Sequence, residues 1–208
     1  MTNIHAFEIG AMIEPLSVGL HAVSLAGDVK GKNVLVLGAG VIGNLAAQVA
    51  AVRGANVMLA GRTAYRFDFA KQVGLKLCVN TDNEDLTEAV TKHFGADGAD
   101  VVIEAVGVAD AVNEAFLQCI TGGTVVITGV FGEFQLIDLF TFQNKEIRAI
   151  GSMMYSVSEF HESISLVSKG LVKLEPLMTA ILPAERFSEA FEIIKTKSIP
   201  VMKVLISI

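Results

Sequence analysis

The run Val34-Leu35-Val36-Leu37 leads without a break into Gly38-x-Gly40-x-x-Gly43 and then into a helical pattern. Each glycine of this turn has its own mechanical job. Gly38 lets the chain swing off a strand, Gly40 leaves the backbone bare for an approaching pyrophosphate, and Gly43 lets the helix pack close to the strand. Val41 and Ile42 open the helix, whose free amides and dipole favour an anion. Ile42, Leu45, Ala46 and Val49 then repeat at one-face spacing, and a second strand, Val57-Met58-Leu59-Ala60, follows Gly54. The competing reading is a tight strand–helix turn with no ligand.

At 208 residues the chain has room for one large domain, or for one domain plus part of another. It is 52% hydrophobic and 18% charged, which suits a parallel sheet buried on both faces. A net charge of −6 with no basic block argues against nucleic acid as a partner. The first eight residues lack the pattern of a signal peptide, and no uninterrupted apolar run approaches a membrane span. Cys78 and Cys119 are too few and too far apart for a disulfide framework, so buried free thiols and a reducing, cytoplasmic location are expected.

Strand-like runs at 34–38, 57–61, 76–79, 100–104, 124–128 and 146–151 alternate with helical ones near 41–53, 64–73, 84–94, 109–119 and 138–144. The alternation predicts an α/β fold of the Rossmann type, a doubly wound six-stranded parallel sheet. Ligands in such sheets bind beyond the carboxyl ends of the strands. Beyond about residue 152 the pattern changes to a helix near 158–169, a strand at 177–182, a helix carrying Phe187, Ala190, Phe191 and Ile194 on one face, and a strand at 201–206.

Three stretches carry a family resemblance: Gly10-Ala11-Met12-Ile13-Glu14-Pro15-Leu16-Ser17-Val18-Gly19-Leu20-His21-Ala22, the glycine turn, and Met202-Lys203-Val204-Leu205-Ile206. Together they resemble the zinc-type medium-chain dehydrogenases, especially the sorbitol, threonine and sugar-alcohol group. The resemblance implies that residues 1–16 are a remnant of a GroES-like catalytic lobe, 17–151 an NAD(P)-binding Rossmann domain, and 152–208 a return into the catalytic lobe. It also implies that the lobe's zinc-binding Cys and His-Glu pair lie upstream of a residue matching Met1. Glu14 matches the family's carboxylate at the zinc, as a ligand or through bound water, so a metal role for Glu14 requires that upstream lobe. Read without the family, Glu14-Pro15 is a helix start. Zinc is not expected to bind this chain alone.

The same resemblance locates the cofactor. Gly61 stands where an NAD enzyme of the family places Asp at the end of its second strand, and Arg62 follows. Losing the carboxylate removes repulsion toward a ribose 2′-phosphate, and Arg62 offers a planar cationic fork. Thr63 adds a hydroxyl, and Arg66 matches an Arg that packs over adenine in both cofactor classes. NADP is therefore expected, with NAD possible. Ala105-Val106-Gly107, Gly129-Val130-Phe131 and Ser152-Met153 match the loops that line the nicotinamide.

Tyr155 matches a substrate-pocket position, so Glu14 and Tyr155 are the residues that the resemblance assigns to the catalytic site. Met154 stands where sorbitol dehydrogenases carry an Arg, and with Phe131 and Met153 it points to a less polar pocket. The substrate class implied is a small alcohol or ketone, with hydride transfer to nicotinamide. His5, His21, His93 and His161 have no metal-ligand spacing and read as surface or packing residues. A homodimer or higher oligomer is expected across the sheet edge near 146–151. The alternative function is a stand-alone dinucleotide-binding or interaction module without catalysis.

Overall fold

The computed structural model describes residues 6–208; His5 lies outside them. Strands β1 (Asn33–Leu37), β2 (Asn56–Gly61), β3 (Leu77–Asn80), β4 (Ala99–Glu104), β5 (Cys119–Ile127) and β6 (Arg148–Gly151) form one sheet in the order β3-β2-β1-β4-β5-β6. All five pairings are parallel. The order reverses between β1 and β4, and this is the crevice where such sheets take ligands.

Alternation along β1 explains the two-sided core. Val34 and Val36 face one side with α2 (Val41–Val52), α3 (Ala64–Gln72) and the long α1 (Ala6–Leu25). Leu35 and Leu37 face the other side with α4 (Leu86–Phe94) and α5 (Ala109–Gln118). Burying one such Val or Leu contributes about 1.5–3 kcal/mol, so a strand buried on both faces is strongly specified. Cys119 is buried and Cys78 half-buried, both as free thiols, and burial pushes their pKa values up, that of Cys119 to about 11.

Several expectations need correction. Glu14-Pro15 does not start a helix: both lie inside α1, which is already formed at Ala6. Pro15 lacks the N–H that a mid-helix residue donates, and α1 keeps its course through packing on α2 and α7 (Val157–Ser168). α1 is also long and apolar enough to cross a membrane by length and composition, although half of that stretch is buried inside the protein and Glu8, Glu14 and His21 interrupt it. The fifth strand starts at Cys119 rather than 124, and the sixth at Arg148 rather than 146. Glu146 has a positive φ of 50° and Ile147 is buried under the sheet, which delays the last strand.

A small second sheet pairs β7 (Met178–Pro183) with β8 (Lys203–Ser207), beside α8 (Phe187–Thr196). The segment before it belongs to the main core. Val172, Leu174 and Leu177 are buried there, and Gln48 of α2 donates to the Lys173 carbonyl at 3.1 Å while accepting its N–H at 2.8 Å.

Candidate functional site

The glycine turn shows how space is allotted at the crevice. Gly38 has φ +109°, and a methyl group on it would lie 2.8 Å from the Ala105 carbonyl oxygen. A methyl on Gly43 would overlap the Gly38 carbonyl, because helix and strand meet there. Gly40 differs: the nearest atom is Arg66 Nη1 at 3.6 Å, with nothing else within 4 Å. Gly40 is the N-cap of α2 and no side chain caps the helix. Two glycines are filled by protein, and the third faces open space beside a guanidinium.

Asn44, fully buried, braces the turn by donating to the carbonyls of Ala39 and Gly40 at 3.0 and 3.1 Å. At the end of β2, Gly61 packs on the turn itself, since a methyl there would sit 3.2 Å from both the amide nitrogen and Cβ of Ala39. Arg62 is exposed, Thr63 is the N-cap of α3, and Arg66 is half-buried with its Nε lacking a partner. Arg66 also lines a cavity of about 280 Å³ with Tyr65, Lys197, Val201 and Lys203. A cavity of about 460 Å³ between α3 and β3 contains none of the glycine-turn residues.

The remaining loops lie at the ends of β4, β5 and β6. Register pairs Glu104 with Ile127 and Ile127 with Gly151, so Ala105–Gly107, Gly129–Phe131 and Ser152–Met153 follow three adjacent strand ends. Val130 and Met153 are 78% and 71% exposed, which leaves an apolar rim. Every cofactor residue named from the sequence therefore sits along the carboxyl edge of the sheet: Gly38, Gly40, Val41, Ile42 and Gly43 at the switch point, Gly61 to Arg66 on one side, the three loops on the other.

Tyr155 has a structural occupation. It precedes the N-cap Ser156 of α7 and stacks on Phe160 at 5.9 Å, which is the N′–N4 staple of a helix start. Glu14 is exposed on α1, and among the described residues no group of three His, Cys, Asp or Glu side chains could hold a metal. A catalytic zinc takes three protein ligands and an open position, so these residues do not make a zinc site.

Two features escaped the sequence reading. His21, read as surface or packing, sits 2.9 and 3.0 Å from the two carboxylate oxygens of Glu159, tying α1 to α7. Glu104 is fully buried at the end of β4 and accepts the N–H groups of Val106 and Gly107 at 2.6 and 2.7 Å. The signal was a carboxylate closing the apolar run Val101-Val102-Ile103 directly before Ala-Val-Gly.

A doubly wound sheet with a glycine turn at its switch point defines a dinucleotide-binding domain of the Rossmann class. The family described as zinc-binding dehydrogenase matches residues 41–169, and the chain belongs to it. Among curated relatives, 2-dehydro-3-deoxy-L-galactonate 5-dehydrogenase of Pseudoalteromonas atlantica is 34% identical, over 88% of this chain and 53% of its own length. D-xylulose reductase of Saccharomyces cerevisiae is 37% identical over 90% of this chain and 54% of its own. A zinc-binding dehydrogenase from Sinorhizobium meliloti, solved bound to NADP, superposes with a TM-score of 0.83 at 34% identity, over 95% of this chain and 58% of that one. The chain spans about half the length of the curated relatives it matches.

Proposed function

We propose that this chain is the coenzyme-binding portion of a zinc-type, NADP-preferring alcohol or polyol dehydrogenase. In this reading residues 17–151 hold the dinucleotide, while 1–16 and 152–208 connect to a catalytic lobe. The observation that carries it is the bare backbone at Gly40, open except for Arg66, between two glycines that protein atoms fill. Such a gap admits a pyrophosphate, and the uncapped start of α2 supplies N–H donors and a favourable dipole.

The preference for NADP rests on Gly61 and exposed Arg62 where an acid would repel a 2′-phosphate. The adenosine end lies near Arg62, Thr63 and Arg66, and the nicotinamide against the loops after β4, β5 and β6. Val130, Met153 and Met154 give the substrate side an apolar rim that suits a small alcohol or ketone. Phe187, Phe191 and Ile194 of α8 are each more than half exposed, an apolar face that a catalytic lobe would cover, and this favours a dehydrogenase over a stand-alone module. Both thiols are free, which supports a reducing, cytoplasmic location.

Joined to an upstream catalytic lobe, Glu14 would supply one carboxylate toward its metal and Tyr155 a hydroxyl at the start of α7. Since the described residues do not form a zinc site, this chain alone is expected to bind the cofactor without turning over alcohol. Self-association is proposed through β6, whose outer edge is unpaired in the sheet and largely exposed.

Calorimetry with NADP⁺ and NAD⁺ tests the reading. Binding of NADP⁺ at least about tenfold tighter than NAD⁺ is expected. Equal affinities would remove the NADP preference, and no binding of either would remove the coenzyme reading.

A further inference from the structure

We propose that Glu104 is a positioning residue for the nicotinamide half of the cofactor, an inference that rests on the dinucleotide reading above. Among the described residues it is the one charged side chain that is buried, and no described Lys, Arg or His pairs with it. Removing a carboxylate from water costs several kcal/mol unless other groups compensate it. Here the compensation comes from backbone dipoles: Oε1 accepts the amides of Val106 and Gly107, so the loop after β4 is wound around the anion. An apolar side chain would fill the same space without that cost. What the carboxylate adds is direction, because it fixes which way the peptide groups of this loop point.

The contacts extend both ways from Glu104. Its Oε2 has no hydrogen-bond partner and lies against Gly129, where a methyl group would come within 2.6 Å of it and 2.5 Å of Gly107 Cα. Gly107, at φ +84°, packs on Val130, and a methyl there would lie 2.6 Å from the Val130 carbonyl oxygen. On the other side, Ala105 abuts Gly38 of the phosphate turn. Backbone contacts thus run from the phosphate turn through 105–107 to 129–130, with Glu104 in the middle. The peptide groups of these loops are the donors and acceptors that a flat nicotinamide ring would meet. A change at Glu104 should therefore disturb one half of the cofactor and spare the other.

The test uses the full chain with two probes: NADP⁺, and adenosine 2′,5′-bisphosphate, which carries the adenosine end and no nicotinamide. Glu104→Gln keeps the size and one acceptor oxygen but places an NH₂ where Oε2 has no partner. NADP⁺ affinity is expected to fall about tenfold while the bisphosphate changes by less than about twofold. Parallel losses for both probes would mark Glu104 as merely structural and overturn the inference, as would no loss for either. If the unmutated chain binds the bisphosphate as tightly as NADP⁺, this inference falls and the adenosine-end reading stands. If it binds neither, the coenzyme reading itself falls. Should the variant not fold, NMR of the unmutated chain decides: the Val106 and Gly107 amides should shift with NADP⁺ but not with the bisphosphate, and the absence of that difference overturns the proposal.

Discussion

The two ends of the candidate cofactor crevice are built on different principles. At the candidate phosphate end, shape is set by what is missing: three glycines, an uncapped helix and Gly61, which packs bare against Ala39. At the nicotinamide end, shape is set by a buried charge, with Glu104 gathering two amides and two glycines packing the loops together. Absence of side chains is local and tolerates little change at a filled glycine. A charge-centred loop spreads its effects over neighbouring strand ends. Variants at the two ends should consequently fail in different ways.

The largest effect is expected inside the glycine turn. Gly43→Ala forces a methyl into the Gly38 carbonyl, and overpacking of that kind costs about 3 kcal/mol or more. For a chain of this size the melting temperature should drop by roughly 6–12 °C. Gly40→Ala should cost no more than about 1 kcal/mol of stability, from placing Ala at the N-cap of α2, since its methyl meets only Arg66 at 3.6 Å, yet weaken NADP⁺ at least about tenfold by occupying the pyrophosphate's place. Melting curves and calorimetry on the pair separate packing from binding. A Gly40→Ala chain that binds normally would contradict the placement of the pyrophosphate.

Next comes cofactor choice. Arg62→Ala should lower NADP⁺ affinity about tenfold and NAD⁺ affinity little, because a partly solvated ion pair about 4 Å apart is worth about 1–4 kcal/mol. Gly61→Asp should shift preference toward NAD⁺ by less than substitution of a free loop position would. Its Cβ falls 3.2 Å from Ala39, so the turn must move by a few tenths of an ångström to admit it. Equal losses for both cofactors in Arg62→Ala would assign Arg62 to the surface.

The edge prediction has to be placed with the observed register. Ile147 is no probe of self-association: it is buried, and its N–H already donates to Phe142. Ser152 donates its N–H to Ile127 of β5, so by the two-residue alternation of a strand the Ala149 N–H points away from the sheet. Ala149→Pro should therefore abolish a dimer formed along β6 while the chain still folds. Sedimentation at micromolar concentration measures this, and an unaffected dimer would place the contact elsewhere.

The sheet was legible in the sequence because continuous apolar runs, glycine punctuation and one-face helices all point to one architecture. The glycine turn was legible for the same reason: Gly38, Gly40 and Gly43 act through backbone geometry, which spacing records. The loops after β4, β5 and β6 were legible only as positions. The burial of Glu104 depends on tertiary packing and on amides that come into reach once the loop has closed, so an acid after an apolar run marks the position without marking it as buried. α1 was missed for a related reason. Pro15 and the apolar residues around most of the helix hide the periodicity that its packing on α2 and α7 imposes.

The smallest effect expected is a pH dependence just beyond the nicotinamide end, where α7 begins. Burial opposes ionisation of Glu159, but hydrogen bonds from the Ser156 amide, His21 and the Ser156 hydroxyl outweigh it and hold the carboxyl down to about 2. In an unfolded chain a glutamate titrates near 4.3. A folded pKa below the unfolded one gives stability that is fully present above about pH 4.3 and is lost as pH falls toward 2. The contribution therefore weakens as pH falls below about 5. Glu159→Gln removes the charge while keeping an acceptor for Ser156, so it should lower stability at neutral pH and lose less than the unmutated chain on acidification from about pH 5 to about pH 3. Thermal melts across that window measure both slopes. Parallel slopes would mean that the contact between His21 and Glu159 sets the angle of α7 against α1 without contributing to acid stability.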